Sequence, residues 1–424
     1  MKFTYTFLLS FLIILFSSCE DKISTVEVFP SSFKTGGSQT TIQLQITGEQ
    51  AWRISSDATW CTPKKSQGIG CEVVDITLTP NTTLEERTAT LTITYDSSTL
   101  TVQVLQNGEY HYQLPLVFHV LYKDINDPIQ YVEKDWIPQL IDGCNQMYAN
   151  KLQNDYSEKK GVDLNLEFTL ATTDPDGNKL QEPGVNRIQY PTSTIDCTAF
   201  MYDSKNTSLL WDLDRYINVF LYTFTEPYVA GISNYPYATS LHPLDGLYNG
   251  DIYINDTRPS YPHCLSINNI YIYNIPQNSL DTDNIITTLA HELGHYLGLL
   301  HAFGVDNAEK KTDWKTDTDY CDDTPNYDRV SYEQWLSKYL EDLAPEEPIR
   351  FSIVTQRTSS TGETFSAHNI MDYYYGWADE FTPDQRKRVR HVLNYSPLIP
   401  GPKDEQRRTR SATDLELPPA RTIK

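Results

Sequence analysis

Positive charge is what this sequence has little of. Its 424 residues carry 34 Lys and Arg against 56 Asp and Glu, for a net charge of −22. That balance argues against nucleic acid or an anionic membrane surface as a partner. No Cys-x-x-Cys pair occurs, so no zinc ribbon is expected. Past residue 16 no stretch is apolar enough to span a bilayer. No acidic loop has EF-hand spacing. What remains is a chain long enough to bury a large core, with two domains expected.

The leader comes first. Met1-Lys2 carries a positive charge, and Phe7 to Phe16 is almost wholly apolar but too short for a membrane helix. It ends in Phe16-Ser17-Ser18-Cys19, which resembles a bacterial lipobox. That resemblance implies a signal peptide over 1–18, lipidation of Cys19 and a short anchoring linker over 19–24. Ordinary cleavage with Cys19 incidental is the alternative. Glu20 and Asp21 resemble the surface-export signal of some Gram-negative lipoproteins, which implies the outer membrane or cell surface. Six further cysteines remain, at 61, 71, 144, 197, 264 and 321. An even count outside the cytosol permits disulfides. Cys61 and Cys71 sit close together and are expected to pair.

Residues 25–108 read as all-β. Thr40 to Ile46, Val73 to Leu78, Ala89 to Tyr95 and Leu100 to Leu105 alternate apolar and polar residues. Short strands at this spacing predict an Ig-like sandwich. Trp52-Arg53-Ile54, Trp60 with Pro63, Asn81, Arg87 and the closing Gln106-Asn107-Gly108 resemble a BACON-type domain. That implies glycan contact. The plainer reading is a spacer, with Trp52 and Trp60 in its core.

Residues 110–396 form the second domain, and residues 397–424, rich in Pro and charge, read as a disordered tail. Its pattern predicts a strand at Leu114–Leu121, a helix over Glu133–Lys151, and strands at Leu164–Leu170, Tyr216–Tyr222 and Tyr248–Asn255. The last would be the edge of a cleft. A helix opening near Asp283 follows, with Ile285, Ile286, Leu289, Leu293 and Leu297 at helical intervals. Together these predict a mixed α/β layer domain.

That helix carries His291-Glu292-x-x-His295-x-x-Gly298-x-x-His301. His291 and His295 stand four apart on one face, where two imidazoles can share one zinc. His301 lies six residues beyond His295, about 240° round the axis, and joins only if the helix stops. Gly298 can adopt positive φ and end it. Three protein ligands leave a fourth position open, the mark of a catalytic zinc. Glu292 is placed to act as general base on a metal-held water. Asp313, Asp317, Asp319, Asp322 and Asp323 follow. Clustered carboxylates suit Ca²⁺, and a solvated acidic loop is the commoner alternative. A helix over Ser331–Leu343 and a last one capped by Thr382 with Pro383 at its first position complete the domain.

The histidine pattern is the metzincin signature, and Asn369-Ile370-Met371-Asp372-Tyr373 supplies the Met-turn that should follow. Pro115-Leu116-Val117-Phe118-His119-Val120, Asp323-Thr324-Pro325 and Phe381-Thr382-Pro383-x-Gln385 complete a resemblance to the pappalysin-type, ulilysin-like metzincins over about 112–394. It departs from them in an insertion at about 328–365. The resemblance implies a zinc endopeptidase acting on proteins or peptides, with Met371 below the metal and Tyr373 as a second catalytic residue. The competing reading is a surface binding lipoprotein with a vestigial zinc site, which intact Glu292 disfavours. Of the other histidines, His119 and His368 read as structural, and His111, His242, His263 and His391 as surface.

Overall fold

The computed structural model describes residues 25–83, 85–152, 161–250, 261–273, 284–303, 319–344, 346–403 and 420–423. The chain divides between Tyr110 and His111. In the first unit, alternation of apolar and polar residues produces nine strands among the described residues. They are β1 (Glu27–Phe29), β2 (Ser32–Thr35), β3 (Thr40–Thr47), β4 (Ala51–Ser56), β5 (Cys61–Pro63), β6 (Gln67–Ile69), β7 (Glu72–Leu78), β8 (Arg87–Tyr95) and β9 (Ser98–Gln106). Two sheets form, ordered β1-β3-β7-β5 and β2-β9-β8-β4-β6. Every second residue faces inward: Leu44, Ile46, Ile76 and Leu78 from one sheet, Ile54, Leu91, Ile93, Val102 and Val104 from the other. Trp52 is buried among them, and its indole Nε1–H donates to Gly70 O at 3.0 Å. Trp60 is half-buried beneath the Arg87 guanidinium, 4.3 Å from its ring centre.

The expected Cys61–Cys71 disulfide is not formed; all six described cysteines are free. Strand register explains why. Cys61 lies opposite Leu78 at one end of β7, whereas Cys71 precedes Glu72 at the other. Seven residues of strand span about 23 Å, far beyond the roughly 7 Å over which two Cα atoms can be bridged. Nearness in sequence became separation because a strand lies between the two.

The second unit holds β10 (Tyr112–Tyr122), α1 (Trp136–Tyr148), β11 (Leu166–Leu170), β12 (Val185–Gln189), α2 (Cys197–Tyr202), β13 (Ile217–Tyr222), β14 (Val229–Ser233), β15 (Leu265–Asn268), α3 (Ile285–Tyr296), α4 (Arg329–Asp342), α5 (Phe351–Val354), β16 (Gln356–Thr358), β17 (Thr364–Ser366), α6 (Pro383–Tyr395) and β18 (Ala420–Ile423). The main sheet runs β11-β10-β13-β15-β14-β18, with β12 pairing β10 beyond β11. β10 to β13 and β15 are parallel, while β14 and β18 run against their neighbours. β13, Ile-Asn-Val-Phe-Leu-Tyr, is apolar at all but one position and is buried on both faces. Asn218 is the polar exception. His119 Nε2–H donates to its side-chain oxygen at 2.8 Å inside the sheet, so His119 is structural as expected.

Helix α3 packs against α1, β14 and β15. Leu289, Leu293 and Leu297 are buried and seat it. Its N-cap is Asn284, one residue after the expected Asp283, which lies outside the described residues. The Asn284 carbonyl side chain accepts the Thr287 N–H at 3.0 Å. The edge of the sheet also differs from expectation. Residues 251–255 lie outside the described residues, and Tyr248–Gly250 form no strand. The described strand nearest the helix is β14, Val-Ala-Gly-Ile-Ser, buried at all five positions. A short buried run containing Gly has no alternation for a periodicity argument to find.

The tail is shorter than expected. Leu398 and Ile399 are buried, and the Tyr296 hydroxyl donates to Leu398 O at 3.2 Å. Residues 397–403 therefore belong to the domain, and β18 adds a strand at 420–423. The abundance of Pro and charge over the whole stretch concealed this short apolar anchor.

Candidate metal centre

The helix stops where the histidine spacing requires. Gly298 adopts φ +92°, a conformation open to glycine at little cost. The Leu299 N–H reaches back to Gly294 O at 2.9 Å, closing the helix end. The Arg388 guanidinium donates to Gly298 O at 3.2 Å and pins the turn. The chain then returns so that His291, His295 and His301 converge, with their ligand atoms all within 4.8 Å of one another. Among the described residues no other group of three acidic, Cys or His side chains converges in this way.

Backbone carbonyls fix the tautomers. His291 Nδ1 stands 2.8 Å from Ile370 O and His295 Nδ1 2.8 Å from Leu299 O. A carbonyl only accepts, so both Nδ1 atoms carry the proton and both Nε2 lone pairs are bare. His291 Nε2 is buried with no hydrogen-bond partner. His295 Nε2 and His301 Nε2 face each other at 3.1 Å. Bare nitrogens packed this way call for a cation between them. Tetrahedral zinc with Zn–N of about 2.0–2.1 Å places its nitrogens about 3.3–3.4 Å apart, so the residues fit zinc. Burial keeps the three rings neutral: it pushes His291 down to about 4 and His295 and His301 well below their ordinary range. Neutral imidazole is the ligating form.

Glu292 is fully buried beside β14. A Cβ on Gly231 would stand 2.6 Å from Glu292 Cγ, so only glycine admits the carboxylate here. Met371 lies below the histidines, fully buried. Its sulfur fills the place where a Cβ on Gly294 would be, at 2.4 Å. Tyr373 is nearly buried, its ring 4.5 Å from the His301 ring and 5.7 Å from that of His291. Burial pushes its phenol well above the usual range, and the charge of Glu292 adds to the shift. It is therefore a hydrogen-bond donor at neutral pH. Tyr235 was missed by sequence reasoning. Its ring stands 5.3 Å from that of His295, and burial followed by the charge of Glu292 raises its phenol too. A lone Tyr outside any motif gave no signal.

The motifs scattered through the sequence knot together under the histidines. The side-chain amides of Asn369 and Gln385 donate to each other's oxygen at 2.9 Å. Asn369 Oδ1 also accepts the Met371 N–H at 2.9 Å, shaping the turn whose Ile370 carbonyl orients His291. Thr382 and Gln385 form a capping box on α6. Asp323 Oδ2 accepts the Asp384 N–H at 2.9 Å at the same helix start. From the stretch at 328–365, Arg357 is fully buried and donates to Tyr373 O at 3.2 Å and Tyr375 O at 2.9 Å. Its Nε lies 3.6 Å from Asp372 Oδ2, and the Tyr327 hydroxyl donates to Asp372 Oδ1 at 2.5 Å.

The acidic loop is a different matter. Asp317 lies outside the described residues. Asp319 is buried and closes its own turn, accepting from Cys321 N–H at 3.1 Å and from the Thr324 hydroxyl at 2.6 Å. With Asp323 capping α6, only Asp322 of the described three faces solvent without such a role. His263, expected on the surface, is fully buried, and burial pushes it down to about 3. It follows Pro262 and lies against the Tyr296 ring at 5.0 Å, behind the zinc helix.

Residues 201–394 match the Peptidase_M43 family model, pregnancy-associated plasma protein-A, and residues 50–107 match BACON, described as "Putative binding domain, N-terminal". A xyloglucan-specific endo-β-1,4-glucanase of Bacteroides ovatus is 37% identical over 94 residues, and this chain spans 18% of its length. Mature mirolysin of Tannerella forsythia in complex with a cleaved peptide superposes with a TM-score of 0.47 and 22% identity, covering 68% of this chain and 93% of that one.

Proposed function

We propose that the chain is a zinc endopeptidase of the pregnancy-associated plasma protein-A type, preceded by a BACON-like domain, and that it cleaves proteins outside the cytoplasm. The convergence of His291, His295 and His301 beside a buried Glu292 carries this reading. Zinc, when bound, supplies a Lewis acid that polarises the scissile carbonyl and makes water nucleophilic near neutral pH. The chain's own residues do the rest. Glu292 takes the proton from the attacking water and returns it to the leaving amine nitrogen. Tyr373, protonated at neutral pH, donates to the oxygen on which charge develops. The carbonyls of Ile370 and Leu299 hold two ligand rings in one tautomer. The outer edge of β14, which β18 covers here, carries the main-chain groups with which an extended substrate would pair.

The test is direct. The purified chain should hold about one zinc and cleave an unstructured protein at internal bonds. Stoichiometric zinc with no cleavage of any protein or peptide tried would favour the binding-lipoprotein reading instead.

The remaining parts of the proposal concern place and accessory domain. Residues 1–24 lie outside the described residues, and the lipobox-like Phe16-Ser17-Ser18-Cys19 supports a lipid anchor in the outer membrane or at the cell surface. Cys19→Ala should move the protein from the membrane fraction to the soluble fraction of fractionated cells, and unchanged partitioning would remove the anchor from the proposal. The β-sandwich is read as a spacer, because Trp52 is core rather than a platform for sugar.

A further inference from the structure

Residues 420–423 return to the helix that carries the histidines. β18 pairs antiparallel with β14 on the side away from β15, with Ser233 opposite Ala420, Ile232 opposite Arg421, Gly231 opposite Thr422 and Val229 opposite Ile423. β18 also runs beside α3, the helix of the histidines and Glu292. Gly231, in the middle of this pairing, is the residue against whose bare Cα Glu292 packs. An extended segment thus lies between a sheet edge and the helix of the general base. That is where a substrate strand adding to β14 would have to lie.

We propose that residues 420–423 occupy the substrate strand's place, so that this segment of the same chain competes with substrate for β14 and must leave before another peptide is cut. The proposal rests on the peptidase reading of the site. An occupant held on the same chain competes at an effective concentration on the order of millimolar when its tether spans the site. Competition of this kind raises KM and leaves kcat alone.

The experiment compares the full chain with one ended at Lys403. Ending the chain there should lower KM for an unstructured peptide about tenfold with kcat unchanged. Backbone amides of residues 230–233 should exchange with deuterium faster, while those of β13 keep their protection. A synthetic peptide of residues 416–424 should inhibit the shortened enzyme competitively. Thr422→Pro in the full chain removes one main-chain donor and should shift KM and exchange in the same direction without deleting the tail. Equal KM and equal exchange at 230–233 in full and shortened chains would overturn the proposal. Exchange is also recorded in the Glu292→Gln chain, where no turnover is needed. If no form cleaves any peptide, the peptidase reading fails, and exchange at 230–233 still decides whether the tail lies on β14.

Discussion

Glu292→Gln should keep its zinc and lose peptide hydrolysis by at least about 10²-fold, the lower end of what a positioned general base contributes. That factor corresponds to about 2.7 kcal/mol of lost transition-state stabilisation. Gln has nearly the shape of Glu, so it fits the space left by Gly231, and the three histidines are untouched. What it cannot do is accept a proton from water and hand it to an amine. The comparison is made between wild type and variant with metal content measured on the same samples. Equal turnover at equal zinc would exclude the mechanism, however well the histidines converge.

His295→Ala should lose metal and activity together. His295 sits between the other two ligands, its ring 4.6 Å from each. Removing it leaves two imidazoles and a void against Tyr235. Loss of an outer partner of a metal ligand already costs roughly 10–100-fold in affinity, and loss of the ligand itself should exceed that. A ligand that binds only the folded state stabilises it by mass action. Zinc should therefore raise the melting temperature of the metal-free wild type and leave that of His295→Ala unmoved. Stoichiometric zinc retained by the variant after dialysis against a chelator would show that the ligand set is wrong.

Much of this site could be read from the sequence because its residues obey local rules. His291, Glu292, His295, Gly298 and His301 lie within eleven positions, and helix geometry with one left-handed glycine turns that spacing into a shape. Thr382, Pro383 and Gln385 mark a helix start by chemistry that needs no partner elsewhere. The elements that escaped are those defined by distant neighbours. β14 is a strand because β15 lies beside it, not because its five buried residues alternate. Tyr235 matters because it stands next to His295, sixty positions away. The pairing of Cys61 with Cys71 was ruled out by strand register, which a sequence does not display. His263 went inside although its ring is polar, because it lies against Tyr296 on the far side of α3 from solvent.

Arg357 bears on how this domain could be rebuilt. It comes from the stretch at 328–365, and stretches outside the metal-binding motif are usually treated as removable decoration. Here its guanidinium ties the two carbonyls that follow the Met-turn and neutralises a largely buried carboxylate. Excising the loop would strand Asp372 without a counter-charge, and breaking a buried pair in that way costs about 3–5 kcal/mol. A chimera that replaces this loop would have to keep Arg357 and Tyr327, or replace Asp372 along with them.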